Sequence, residues 1–182
     1  ETQSGHLITG LSNHVYMIRN DKIYTIKYNP DIKVNAACEI EDGKIIMATS
    51  HGLFRLENDS LIEMQNPHIK NLNIQKIKYK NDQIWMLGSD GSQSFLLAID
   101  LNDPEYFRKI GQTNGLIDFP TSIFIDHENN IWTGSNGGLS VLKGESFISY
   151  NTISGLTGNK IWGVFYDQDQ KVWVGTIGQG LS

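Results

Sequence analysis

Two acidic triplets are the densest groups of reactive side chains in this sequence: Asp126-His127-Glu128 and Asp167-Gln168-Asp169. Alternating oxygen ligands of this kind can hold calcium. The glycine and distal glutamate of a helix-loop-helix calcium loop are missing, so a turn is the expected role. There the leading aspartate accepts backbone N–H groups of the bend. His6, His14, His51, His68 and His127 show no metal-ligand spacing, and no metal is expected. His14 and His51 read as loop residues. Cys38, between Ala36, Ala37 and Ile40, reads as a small buried residue with no partner for a disulfide and no base to activate it. Gly134-Ser135-Asn136-Gly137-Gly138 looks like a phosphate loop but lacks the lysine and the following helix. Asn58-Asp59-Ser60 fits a glycosylation sequon and reads more simply as a turn. No catalytic constellation stands out, and no cofactor is expected. Binding chemistry is left to aromatic rings and to polar loop side chains.

The elements that would position these groups repeat. Aliphatic pairs at Leu7-Ile8, Ile45-Ile46, Ile84-Trp85, Ile131-Trp132 and Val172-Trp173 follow one another at 38, 39, 47 and 41 residues. That spacing lies around the period of propeller blades. The first complete unit reads as four strands, Val34–Ile40, Lys44–Thr49, Leu53–Leu56 and Leu61–Met64, with a turn at Glu41-Asp42-Gly43. The same pattern recurs over Ile74–Ile110, with a long loop at Gly88–Ser94, and over Thr121–Tyr150. Partial copies precede and follow. The expected fold is all-β, a β-propeller of four-stranded antiparallel blades with three full and two partial blades. The blade parts are approximately 1–30, 31–66, 70–112, 115–152 and 155–182, with no second domain. The count predicts a piece of a larger propeller. Apolar residues on both faces of each small sheet explain why blades stack: none can bury its surface alone.

Bulk properties agree with this. The 182 residues are 39% hydrophobic and 19% charged, with 18 glycines and a net charge of −5. The composition is globular, and the acidic balance argues against nucleic acid as a partner. No apolar run reaches the roughly 18–20 residues that a membrane helix needs. The polar start Glu1-Thr2-Gln3-Ser4-Gly5 shows no signal peptide.

The third unit and the partial fourth carry a more specific pattern. It comprises Gly115, Leu116, Asp126, Ile131, Trp132, Gly134, Ser135, Gly138 and Leu139, then Gly155, Leu156, Asp167, Val172, Trp173, Gly175, Thr176, Gly180 and Leu181. This resembles the repeat of the periplasmic propeller found in bacterial two-component regulators. Earlier copies are degenerate: Ile8 and Ile46 replace the tryptophan, Ala48 and Leu87 the glycine. The resemblance implies an extracytoplasmic, periplasmic sensor whose parent is commonly a hybrid histidine kinase of the inner membrane. It also implies downstream sensor domains, a homodimer of the parent, and glycan-derived oligosaccharides as ligands. The chain holds no kinase ATP-site motif and no phosphoacceptor helix, so no phosphoryl transfer is expected of it. Other readings are a secreted propeller lyase or hydrolase, which would need converging acid and base groups near the axis, and a protein–protein interaction scaffold.

The repeat sorts the binding candidates. Trp132, Gly134, Asp126, Trp173, Gly175 and Asp167 recur at fixed places, which marks them as packing and turn residues. Trp162 lies in a first strand, which lines the central channel, and has no tryptophan counterpart. It is a candidate ligand contact. Asp90 and Ser92 of the Gly88–Ser94 loop, and Asn114 and Asp118 of the Thr113–Phe119 link, are the others, since function concentrates on loops held by a rigid scaffold.

Overall fold

The computed structural model describes residues 7–11, 14–167, 169 and 171–182. His6 and Gln168 therefore lie outside the described residues. Five antiparallel sheets follow one another along the chain, with three, four, four, four and three strands. The first holds β1 (Leu7–Leu11), β2 (His14–Arg19) and β3 (Lys22–Ile26). The second holds β4 (Val34–Glu39), β5 (Ile45–Thr49), β6 (Gly52–Glu57) and β7 (Ser60–Glu63). The third holds β8 (Asn73–Lys80), β9 (Gln83–Ser89), β10 (Ser94–Asp100) and β11 (Phe107–Ile110). The fourth holds β12 (Pro120–Ile125), β13 (Ile131–Ser135), β14 (Leu139–Lys143) and β15 (Ser146–Tyr150). The fifth holds β16 (Ile161–Tyr166), β17 (Val172–Thr176) and β18 (Gly180–Leu181). In each four-stranded sheet neighbours in space are neighbours in sequence. This is the arrangement of propeller blades.

Local chemistry fixes the hairpins. Asn20-Asp21, Asn58-Asp59 and Asn81-Asp82 each hold two successive residues at φ of 46–61°. Both central residues of such a two-residue turn need positive φ, which Asn and Asp tolerate better than most residues, and its twist matches the flanking strands. The Glu41–Gly43 turn is instead a short 3-10 segment. His14 opens a strand and pairs with Leu11, so it is not a loop residue as the aligned bends suggested. The loop expected over Gly88–Ser94 is also shorter. Gly88 pairs with Phe95 and Ser89 with Ser94, leaving Asp90–Gln93 as the connection. Serines and a glycine look like loop in sequence, but the β9–β10 ladder runs on through them.

Strand β10 shows why these sheets stack. Phe95, Leu97 and Ile99 point into one cluster with Ile46, Leu53, Ile74 and Met86. Leu96 and Ala98 point the other way, with Trp85, Leu116, Ile123 and Ile131. All five are at most 8% exposed. A strand buried on both faces reads as a continuous apolar run, and each such side chain contributes roughly 1.5–3 kcal/mol. Gly134 has a matching role between the fourth and fifth sheets. A Cβ there would stand 2.5 Å from Cγ2 of Ile161 and 2.5 Å from Oγ of Ser122. Only glycine permits that approach. The equivalent Gly175 would meet nothing nearer than the Gly163 carbonyl at 3.8 Å.

The first strands share a feature that the repeat did not reveal. In β4, β8, β12 and β16 the register skips one residue against the second strand. The extra residues are Asn35, Gln75, Thr121 and Trp162. A bulge of this kind bends the strand and re-aims a side chain.

Candidate ligand-binding face

Connections between second and third strands, and those between successive blades, emerge at one end of the sheets. Connections between first and second strands, and between third and fourth, emerge at the other. The second end carries the tight Asn-Asp turns and the Asp126 and Asp167 bends. The first end carries the longer links at residues 111–119 and 151–160. It also carries every binding candidate.

At the structural end, Asp126 is buried and collects four donors. These are the Glu128 and Asn130 backbone N–H groups at 3.0 and 2.8 Å, the Asn130 amide at 2.8 Å and the Trp132 indole N–H at 2.8 Å. Burial pushes this carboxyl up, but the Trp132 and Asn130 side chains and the backbone donors outweigh it and hold it below the usual range. Asp167 repeats the motif with Trp173 Nε1 at 2.6 Å and Lys171 N at 2.9 Å. The Trp173 bond is the main cause of its lowered pKa. Trp132 is 8% exposed and stacks near Tyr150, whereas Trp173 is 39% exposed. In the third blade, Gln83 takes the aspartate's part and accepts from the Trp85 indole at 3.2 Å. Sequence reading assigned the aspartates to backbone donors; the indole bond is additional, and the fixed six-residue Asp-to-Trp spacing was its signal.

At the upper end one candidate, Asn114, borders a groove of about 360 Å³ with Gln93, Phe95, Lys109, Gln112 and Phe119, and Asp90, Ser92 and Asp118 lie outside its lining. Asp90 accepts from the Ser92 hydroxyl at 2.7 Å and lies 3.9 Å from Lys109, whose ammonium sits 3.7 Å from the centre of the Phe95 ring. The Ser92 hydroxyl, the Ser92 and Gln93 N–H groups and the Lys109 charge hold Asp90 down to about 2. Asn114 closes its own turn, accepting from Gly111 N at 2.6 Å and donating to the Lys109 carbonyl at 3.0 Å. Asp118 accepts from Gln112 and from the Phe119 N–H. These polar groups are largely engaged with one another.

Trp162 stands apart from that cluster. It borders a second groove of about 340 Å³ with Lys76, Thr121, Ser122, Asn136, Ile161 and Ile177. Trp162 is 79% exposed. It is the bulged residue of β16, and Thr121, the bulged residue of β12, borders the same groove. Thr121 donates to the Gly134 carbonyl at 3.1 Å. The Ser122 hydroxyl is buried without a hydrogen-bond partner among the described residues. Sequence reasoning missed the bulges, though a signal existed. The pairs Ile74/Ile77, Pro120/Ile123 and Ile161/Val164 stand three apart in strands where buried residues should recur every second position.

Burial raises the Cys38 thiol to about 12, with Lys78 opposing, so it stays protonated. His68 lies flat on Phe107 at 4.5 Å, and His127 packs near Tyr166. Among the described residues no three His, Cys, Asp or Glu side chains converge as a metal site would require. No helix of the described residues is long and apolar enough to cross a membrane.

The two-component regulator propeller family matches residues 155–178, a stretch that includes Trp162, Trp173 and Gly175. A histidine kinase P4 of Formosa agariphila is 25% identical over 187 residues, covering 91% of this chain and 13% of the kinase. The extracellular domains assigned to the hybrid two-component systems BT4673 and BT3049 of B. thetaiotaomicron superpose with a TM-score of 0.74 each. They are 19% and 21% identical, and the match covers all of this chain and 26% and 25% of theirs. The chain thus spans about a quarter or less of these relatives. The superpositions show the fold, a β-propeller.

Proposed function

We propose that this chain is part of the ligand-sensing, extracytoplasmic propeller of a two-component sensor histidine kinase, and that its ligand is a glycan-derived oligosaccharide. One observation carries the reading. The residues that match the regulator propeller family, 155–178, are the ones that place Trp162 and Ile177 on the upper groove. An exposed indole beside hydroxyl and amide groups suits a sugar ring: the flat apolar face takes the C–H face, and the polar rim takes the hydroxyls. The chain itself is a binder in this reading, and the kinase activity belongs to the parent protein. Binding stabilises one of two signalling states by its differential affinity for them. The periplasm is the compartment this predicts.

Isothermal titration of the intact extracytoplasmic domain against a panel of defined neutral and acidic tetrasaccharides tests this. Binding of at least one is expected, weakened about tenfold or more by Trp162→Ala, since loss of a stacked aromatic costs on the order of 1–3 kcal/mol. Chromatography of each mixture reads turnover. Cleavage of the bound sugar would overturn the sensor reading in favour of a lyase or hydrolase. The absence of binding across the panel would overturn the oligosaccharide assignment.

A further inference from the structure

The charges around the Trp162 groove are one-sided. Among the described residues that border it, Lys76 is the charged side chain, and the others are hydroxyl, amide or apolar. Lys76 follows the bulged Gln75 in β8, and its side chain is exposed. Lys78 and Lys80 continue the same face of this innermost strand at the two-residue stride of a β-strand, and both are exposed. Among the described residues none of the three lysines takes part in an ion pair. This is unlike Arg55, Arg108, Lys109 and Lys171, which all stand near a carboxylate. A chain of net charge −5 thus gathers a row of unpaired cations on one inner strand.

Register explains the arrangement. Lys76, Lys78 and Lys80 pair with Leu87, Trp85 and Gln83 of β9. Leu87 and Trp85 fill the interface between the third and fourth blades. The three lysines therefore lie on the face of β8 that turns toward the fourth blade, and Lys76 among them borders the groove. Lys76 follows the bulge at Gln75, Trp162 is itself a bulged residue, and both border the one groove.

Resting on the oligosaccharide-sensor reading, we propose that this groove takes an acidic sugar, with its ring laid on Trp162 and its carboxylate or sulfate paired with Lys76. An unpaired ammonium at the rim of a cleft attracts anions to it. The same ammonium disfavours a neutral ring, which would cover it without replacing its water. Thr121 and Asn136 border the site where ring hydroxyls would fall. Lys78 and Lys80 extend the positive row along the strand, which suits a chain of several acidic sugars.

The experiment is titration of the intact extracytoplasmic domain with matched probes. Tetragalacturonate is compared with its carboxyl-reduced neutral form, and a chondroitin sulfate tetrasaccharide with its desulfated form, at low and high sodium chloride. Wild type is expected to bind an acidic member about tenfold or more tighter than its neutral match, as a charged hydrogen bond supplies. Lys76→Gln removes that margin, Lys76→Glu reverses it, and added salt narrows it. Lys22→Gln, an exposed charge beside the Asn20-Asp21 turn at the far end, leaves affinity unchanged. Melting temperatures of the variants confirm folding. Equal binding of the neutral match, or an unchanged margin in Lys76→Gln, overturns the acidic-sugar inference and leaves the sensor reading standing. Failure of every saccharide, neutral or acidic, overturns both.

Discussion

The Asp126–Trp132 pair shows how one residue can belong to turn and core at once. Its carboxylate ties the bend 126–130 to an indole wedged against the next blade. Asn presents one oxygen and one donor where Asp126 presents two acceptors, so Asp126→Asn leaves buried N–H groups facing an amide. The expected loss is about 2–3 kcal/mol at neutral pH, read by urea unfolding of the purified protein. Because Asp126 is held below the ordinary range in the folded state, its contribution is fully present above the unfolded-state pKa, about 3.9. It fades as pH falls through the lower folded value. The gap between wild type and Asp126→Asn therefore closes under acid conditions below that point. A gap that persists there would mean that shape, not charge, is what the site needs. Asp167→Asn changes stability less, because its Trp173 partner is more exposed.

At the scale of elements, the sequence disclosed the strands well and their register less well. Strand count, order and most boundaries follow from alternation and from Asn-Asp or glycine turns, which are local signals. The bulges are not local: a first strand kinks only relative to its partner, so Asn35, Gln75, Thr121 and Trp162 read as ordinary strand residues. Trp162 could be singled out by its type, but its place on one groove with Lys76 could not, since the two are 86 residues apart and share it only when blades stack. The repeated glycine is a further case. The motif gives Gly134 and Gly175 one role, yet their surroundings differ. Gly134→Ala drives a methyl into Ile161 and Ser122 and is expected to cost about 1–3 kcal/mol, as overpacking does. Gly175→Ala, with no close neighbour in the chain described, is expected to stay within about 0.5 kcal/mol. Thermal unfolding of the two variants side by side checks this. Equal losses would show that backbone conformation, not blade contact, dictates the glycine.

The buried apolar clusters lie between successive sheets, and in a repeat architecture that makes stability divisible along the chain. Leu96 and Leu97 test this most directly. They are adjacent in β10 and both fully buried, yet Leu97 belongs to the cluster shared with the second blade and Leu96 to that shared with the fourth. Each truncation to alanine removes comparable apolar volume, at an expected cost of about 2–5 kcal/mol. Where that cost falls should differ. Leu97→Ala is expected to speed amide exchange in β4–β6 and β8, and Leu96→Ala in β12 and β13, with β10 affected by both. The double variant is expected to lose close to the sum, because the two side chains share few partners even though they share a strand. Exchange that rises uniformly across all sheets, or strong non-additivity, would instead describe one cooperative core. The distinction bears on signalling. A ligand held between Lys76 and Trp162 touches β8, β12 and β16, so in a divisible row it tightens the third to fifth blades and leaves β1–β3 unchanged. A sensor built this way passes its signal along the stack through the interfaces the ligand closes, and exchange measured with and without bound sugar would locate them.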